Sequence, residues 1–291
     1  MHQDEVDLDV PLVARLVADQ FPRWAGLPLR RLESSGTENA MFRLGADKVV
    51  RLPRHPRAVE AVTHELRWLP RLGPDLPAAS PVPLGRGRPG EGFPWPWSVY
   101  GWLEGRNPVP GALEAPGPLA ADLGAYVTAL RRIDASDGPP GYRGGPLARR
   151  DDSVREALAL LEGRVDTAAL TRLWEEALRV PEHSGPPVWA HGDLMAGNLL
   201  VSGGRLRAVI DFGTVGVGDP AVDLISAWCL LPAGARGAFR EAVGADDAEW
   251  ARGRGWALSI AVVALPYYWE TNPPVAENSR HVIREVLAEA A

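Results

Sequence analysis

Apolar and polar positions follow two regimes along this chain. In the first hundred residues short runs fit the two-residue repeat of strands, whereas most of the later sequence has the 3.6-residue repeat of helices. Residues 9–20 carry apolar side chains at helical spacing and predict an N-terminal helix. Leu27–Glu33, Ala40–Leu44 and Lys48–Leu52 read as strands, the last two joined by the tight turn Gly45-Ala46-Asp47. Residues 57–72 return to the helical repeat, with Val59, Val62, Leu66 and Leu69 on one face. Val82–Gly85 and Ser98–Leu103 add two more strands, so this part predicts a small, mainly antiparallel sheet and one long helix. The Gly- and Pro-rich stretch Gly105–Pro118 marks a linker. Beyond it, helices are predicted near 119–134, 151–163, 166–179, 220–231, 236–243, 247–269 and 276–290. Two short strands, Leu199–Ser202 and Ala208–Asp211, flank the turn Gly203-Gly204, and the Gly/Pro/Arg segments Gly85–Gly92 and Asp137–Pro146 read as mobile loops. The pattern as a whole predicts an α+β chain, with a small antiparallel-sheet lobe over 1–104 and a larger, mainly helical lobe over 105–291.

With 291 residues, 46% of them hydrophobic, the chain can bury one large core or two lobe cores. The net charge of −6 argues against a nucleic-acid partner, which selects for basic chains. Residues 1–104 balance 13 Lys+Arg against 13 Asp+Glu, so the whole deficit falls in 105–291. An acidic second half suits a cationic ligand, and equally an ordinary solvated surface. The single cysteine, Cys229, permits no intramolecular disulfide and lies in the apolar run Leu224–Leu231, which favours packing in a reducing compartment. No signal-peptide pattern opens the chain, and the apolar run Trp256–Trp269, interrupted by Pro266, is too short to span a bilayer. A cytoplasmic protein with no membrane partner is expected. Only one of the 31 basic residues is lysine, Lys48. With 31 Gly and 28 Pro, this points to GC-rich coding, so arginine clusters are discounted as functional signals.

The densest chemistry is His191-Gly192-Asp193-Leu194-Met195-Ala196-Gly197-Asn198, followed by Asp211-Phe212-Gly213. The spacing follows the phosphoryl-transfer template H-x-D-x-x-x-x-N with a later D-F-G. Asp193 lies in a loop, where its carboxylate can accept a proton from an attacking hydroxyl; alone it would read as a helix N-cap. Asn198 and Asp211 offer the amide and carboxylate oxygens that Mg2+ prefers, although each could also be a turn residue. His191 reads as a brace for the loop. Asp219 before Pro220 reads as a helix N-cap, and Asp223 is placed to tie the loop to that helix. No Cys/His cluster suggests zinc.

In the first lobe, alternation along Lys48–Leu52 sends Lys48 and Arg51 to opposite faces, with Lys48 at the hairpin mouth and Arg51 deeper. Arg51 is the cation candidate for phosphate oxygens and Glu65 its natural partner, though Glu65 also fits a solvated helix face. Ser34–Asn39 is the candidate phosphate-covering loop, with Ser35, Gly36 and Thr37 as its contacts; it holds one glycine where G-x-G-x-x-G has three.

These motifs, with Gly218-Asp219-Pro220 and Asp223 downstream, resemble the aminoglycoside phosphotransferase family, part of the protein-kinase-like superfamily that includes choline, homoserine and methylthioribose kinases. The resemblance implies a two-lobed kinase-like fold, Asp193 as catalytic aspartate, Asn198 and Asp211 as Mg2+ ligands, and Arg51 with Glu65 as the nucleotide-side ion pair. It implies that the hinge near 100–104 meets the purine through backbone groups of Gly101, Trp102 and Leu103, after Tyr100. Many members have lysine where this chain has Arg51; arginine keeps the charge and adds a bidentate fork. ATP or GTP is the implied donor, and a small, hydroxyl-bearing, cationic molecule the implied acceptor, with an aminoglycoside antibiotic foremost. Asp151, Asp152 and Glu270 are candidates for binding its ammonium groups.

A metabolic kinase for an amino alcohol or sugar is the alternative. An aromatic cage among Trp256, Tyr267, Tyr268 and Trp269 would favour it, whereas a compact charge cluster on 247–269 would favour the antibiotic. A non-catalytic nucleotide-binding module is the third reading, opposed by the intact Asp193, Asn198 and Asp211.

Overall fold

A computed structural model of the protein describes residues 8–32 and 38–290. The chain forms two compact units, one of residues up to 74 with 79–104 and 210–213, the other of 75–78, 105–209 and 214–291.

The first unit opens with helix α1 (Val10–Gln20), capped by Asp9, whose carboxylate accepts from the Leu12 amide at 2.8 Å. The strands β1 (Leu29–Arg31), β2 (Asn39–Leu44), β3 (Lys48–Pro53), β4 (Pro83–Gly87) and β5 (Trp97–Gly101) form one antiparallel sheet in the order β1-β2-β3-β5-β4. Phe42, Val50 and Val99 are register partners across β2, β3 and β5; they join Val13, Leu16, Val17 and Trp97 in one apolar core. The next residues in alternation, Met41, Arg51 and Ser98, are register partners on the opposite face. Helix α2 (Pro56–Leu72) packs on the sheet through Ala58, Val62, Glu65, Leu69 and Leu72, all buried. Its inward face is therefore rotated from the predicted one: Val59 and Leu66 are only half-buried, because the carboxylate of Glu65 is drawn inward by a charge on the sheet. The expected mobile loop Gly85–Gly92 is instead strand for its first part, and Gln20 brackets Arg88 from both sides, accepting from its amide at 2.7 Å and donating to its carbonyl at 2.9 Å.

The second unit is mainly helical: α3 (Pro116–Arg132), α4 (Asp151–Leu160), α5 (Thr167–Arg179), α6 (Ser226–Cys229), α7 (Ala233–Val243), α8 (Asp247–Tyr268) and α9 (Pro273–Glu289). The segment predicted as one helix over 220–231 is a 3-10 turn, Pro220–Ile225, followed by the single turn of α6. All six residues of that 3-10 turn are buried, so it has no solvent face to impose a 3.6-residue repeat. Two hairpin-like pairs complete the unit. The predicted pair forms as β7 (Leu199–Ser202) and β8 (Arg205–Val209). The other, β6 (Val188–Ala190) with β9 (Gly216–Gly218), has no counterpart in the sequence reading; three residues each, one of them Gly-Val-Gly, are too few for a visible alternation. The acidic end of α9 is fixed by buried Arg236, which pairs with Glu285 and Glu289. No described helix is long and apolar enough to cross a membrane.

Candidate active site

In the first unit three carbonyl-bearing side chains converge on one guanidinium. Arg51, on the α2 face of β3, donates through Nη1 to Glu65 Oε2 at 2.6 Å and through Nη2 to Asp211 Oδ1 at 2.8 Å. The Asn39 amide oxygen, in the orientation that satisfies its neighbours, accepts from Arg51 Nε at 3.2 Å and Nη2 at 3.0 Å. Burial works against the charge of Arg51, and Asp211 and Glu65 more than offset it, so its pKa lies well above the ordinary arginine value. Lys48 faces the other side, paired with Asp47 at 2.6 Å and 5.8 Å from the Trp24 ring. Asp211 has a left-handed backbone (φ 64°), unusual for a residue with a side chain, which turns the chain just after β8 and leaves the carboxylate half-exposed. Gly213 follows from the same packing, since a Cβ there would lie 2.9 Å from Ala61 Cβ of α2. Tyr100 is buried beside Glu65, and burial, then the Glu65 charge, raises its phenol pKa. Its side chain lies inside the unit next to the ion pair. The amides of Gly101 and Trp102 donate to Val82 O at 3.0 Å and Asp47 O at 2.8 Å, while the Trp102 ring stacks on the Arg43 guanidinium at 3.6 Å. Ser35, Gly36 and Thr37 lie outside the described residues.

In the second unit the loop after β6 is held at its backbone groups by side chains that follow it in the chain. Asp223, buried, accepts from the His191 amide through Oδ2 and from the Gly192 amide through Oδ1, both at 2.8 Å. Burial raises the pKa of Asp223, opposed by His191 and by those two amides. The His191 carbonyl accepts from Thr214 Oγ1 at 2.9 Å, and the Leu194 carbonyl from Ser226 Oγ at 2.6 Å. Gly192 adopts a positive φ of 77°, which a glycine tolerates without strain. From this frame Asp193 projects half-buried, and both carboxylate oxygens are engaged. Oδ2 accepts from Asn198 Nδ2 at 2.8 Å, and Oδ1 from Arg143 Nη1 at 2.5 Å. The Asn198 nitrogen also donates to the Asp193 carbonyl at 2.9 Å, which commits the nitrogen side of that amide to Asp193. Beyond the loop, Asn107 Nδ2 donates to the carbonyls of Gly197 at 2.9 Å and Leu199 at 2.8 Å. An aspartate fixed by two partners on a braced turn is equipped to orient a hydroxyl and take its proton.

The sequence pattern of the phosphotransferase enzyme family (APH) matches residues 29–256. The chain belongs to that family. No curated protein matches it in sequence. Among solved structures it is similar to the GDP and kanamycin complex of APH(2")-IIia, with a TM-score of 0.75 at 19% identity over 96% of this chain and 99% of that one. It is similar to the GDP complex of wild-type aminoglycoside 2'-phosphotransferase-IIIa, with a TM-score of 0.74 at 16% identity over 98% and 100%. The apoenzyme of macrolide 2'-phosphotransferase MphH from Brachybacterium faecium gives a TM-score of 0.64 at 25% identity over 94% and 98%. The chain is thus a phosphotransferase with the kinase-like fold of that family, a small antiparallel sheet preceding a mostly helical remainder.

The candidate acceptor residues of this phosphotransferase do not form one group. Asp151 accepts from Trp174 Nε1 at 2.8 Å and pairs with Arg155 at 2.8 Å; the Trp174 bond, then Arg155, holds its carboxyl below the usual range. Asp152 and Glu270 are exposed. On α8, Arg252 is tied to Asp219 at 2.7 Å and Glu249 to Arg131 at 2.7 Å, whereas Asp247 is exposed and pairs with Arg240. The aromatic cage does not assemble either. Trp256 is buried in the core, and the Trp269 ring faces the guanidinium groups of Arg164 and Arg280 at 4.8 and 4.5 Å. Three contacts escaped the sequence reading: Asn39, Asn107 and Arg143. Asn39 ends the candidate phosphate loop, Asn107 lies in the Gly/Pro-rich stretch 105–118, and a single arginine carries little signal in a chain whose basic residues are almost all arginine.

Proposed function

We propose that this phosphotransferase moves the γ-phosphoryl group of ATP or GTP onto a hydroxyl of an antibiotic, with an aminoglycoside foremost. The observation that carries the reading is the Asp193 carboxylate, held at both oxygens on a loop braced by Asp223. Its spacing to Asn198 and to Asp211 follows the phosphoryl-transfer template. Family membership, and relatives solved with GDP and kanamycin or with gentamicin, support the donor and acceptor classes.

Asp193 orients the acceptor hydroxyl and takes its proton as the new oxygen–phosphorus bond forms. The bond from the γ-phosphorus to the bridging oxygen breaks, and the nucleoside diphosphate leaves. Arg51, kept charged by its carboxylate partners, orients phosphate oxygens. By the phosphoryl-transfer template, Asn198 and Asp211 are the residues that would hold Mg2+, through an amide and a carboxylate oxygen, donors of the kind that ion prefers. When bound, that ion neutralises charge on the nucleotide phosphates. Backbone groups of Gly101, Trp102 and Leu103 are the candidates for the purine edge, with the first two amides already committed to the sheet.

A macrolide acceptor is the second reading. The likeness to macrolide 2'-phosphotransferase MphH, at 25% identity, supports it. The aromatic residues weighed for a choline-type acceptor do not come together, since Trp256 is buried and the Trp269 ring faces Arg280. The test is nucleotide consumption by the purified protein with Mg2+, using ATP and GTP, against aminoglycosides, macrolides and metabolic alcohols. Turnover with one antibiotic, lost in Asp193→Ala, is expected. Turnover confined to metabolic alcohols would overturn the antibiotic reading, and full activity in Asp193→Ala would overturn the mechanism.

A further inference from the structure

We propose that Arg143 is a positioning residue for phosphoryl transfer, holding the Asp193 carboxylate in its working orientation; this rests on the reading of Asp193 given above. One nitrogen, Nη1, donates both to the Gly192 carbonyl at 2.8 Å and to Asp193 Oδ1 at 2.5 Å. It thereby ties the side chain to the backbone that carries it. Asn198 does the same from the other side, bridging the Asp193 carbonyl and Oδ2. A carboxylate with one oxygen held has a rotation left to it; with both held it has none, and a fixed near-attack geometry is worth large factors in rate.

The loop 191–198 contains no Lys or Arg, so this cation must come from elsewhere in the chain. The fold goes to some length to bring it. The segment 134–146 runs beside β9 as an added edge: Val217 N donates to Pro139 O at 2.8 Å, Gly141 N to Val217 O at 3.0 Å, and Asp219 N to Gly144 O at 2.7 Å. Trp189 Nε1 fastens its start, donating to Asp134 O at 2.9 Å. The two glycines of β9 make this approach feasible. A Cβ at Gly216 would lie 2.4 Å from Gly141 Cα, and one at Gly218 would lie 2.6 Å from Gly144 O. The Gly-Val-Gly strand therefore has a specific consequence, the delivery of Arg143 to the loop. The segment expected to be a mobile loop is instead a fixed bracket.

The test compares Arg143→Ala, Arg143→Lys, Asp193→Ala and the double variant Arg143→Ala/Asp193→Ala in steady-state turnover, with folding checked by thermal melting. Arg143→Ala is expected to lower kcat about 100-fold while KM for nucleotide and acceptor stays within about twofold. Arg143→Lys, which keeps a donor and a charge, should recover part of the loss. Because Arg143 acts through Asp193, the double variant should be no slower than Asp193→Ala alone. Should Arg143→Ala fail to fold, Arg143→Gln carries the same comparison. Wild-type kcat in the folded Arg143 variants would overturn the inference while leaving the kinase reading intact, and so would a further slowing of Asp193→Ala, which would mean a direct contact with the phosphoryl group. If no acceptor is turned over, nucleotide hydrolysis with water as acceptor gives the same readout. Absence of both activities would remove the kinase reading and this inference with it.

Discussion

The Arg51 cluster and the Asp193 loop hold charged groups still by opposite means. Arg51 and Glu65 are buried in the first unit, between β3 and α2, and their partners are side chains of opposite charge or matching polarity. A charge at that depth is tolerated only when it is paired and hydrogen-bonded. Asp193 must remain reachable, and its carboxylate is a quarter exposed. Its stability of position comes instead from backbone groups fixed by Asp223, Thr214 and Ser226, with Arg143 and Asn198 closing on the carboxylate itself. Depth calls for compensating charge, whereas access calls for a rigid surround.

The sharpest way to separate the two regions is to remove one charge from each. Asp193→Ala should lower kcat by about 10³-fold, within the range for a lost general base, while nucleotide affinity measured by calorimetry changes little. Weakened nucleotide binding in that variant would contradict the role given to Asp193. Arg51→Ala should do the reverse and damage the fold first, by about 3–5 kcal/mol in urea unfolding, because it leaves Glu65 charged, buried and uncompensated. Adding Glu65→Leu to Arg51→Met should restore much of that stability without restoring nucleotide affinity. A stable, nucleotide-binding double variant would sink the assignment of Arg51.

A smaller effect probes how the loop is braced. Asp223→Ala removes the acceptor for two amides and should cost about 2–3 kcal/mol, with a matching fall in kcat. Unchanged kcat would mean that the loop holds its shape without that anchor. Cys229 reports on the same region. Burial, then the nearby Asp193 carboxylate, pushes its thiol pKa up to about 12, so iodoacetamide at pH 8 should label it only after unfolding. Labelling of the native protein would reveal an open path beside the loop.

The smallest expected effect lies away from both regions. Asp122 is held below the ordinary carboxylate range by its hydrogen bond to Arg205. Its folded pKa is depressed, so its contribution is present above the unfolded value of about 3.9 and is lost as pH falls through the folded value. Asp122→Asn should therefore lose less stability than wild type as the pH falls below about 4 in acid melts. Parallel curves would show that the surface pair contributes nothing.

Much of the fold was legible because long amphipathic helices and alternating strands announce themselves. α1, α2, β2 and β3 lie within a residue or two of their predicted limits. The site was legible where its spacing is local, as in Asp193 with Asn198 or the Asp211-Phe212-Gly213 turn. Arg143 was not, since it stands 50 residues from Asp193 in a chain where arginine is the default basic residue. The inward turn of Glu65 was missed for a related reason. A helix wheel ranks carboxylates as outward, and only the facing Arg51 reverses that ranking.

What the sequence by itself determined is the order of elements, the two regimes of periodicity and the motif spacing that the phosphotransferase reading rests on, because these depend on spacing within a few residues. Tertiary structure alone decided which arginine meets the Asp193 carboxylate, which glycines admit the segment that carries it, and which way the carboxylates of α2 and α4 turn. Those outcomes depend on close approach and compensating charge between segments far apart in the chain, and no local repeat encodes them.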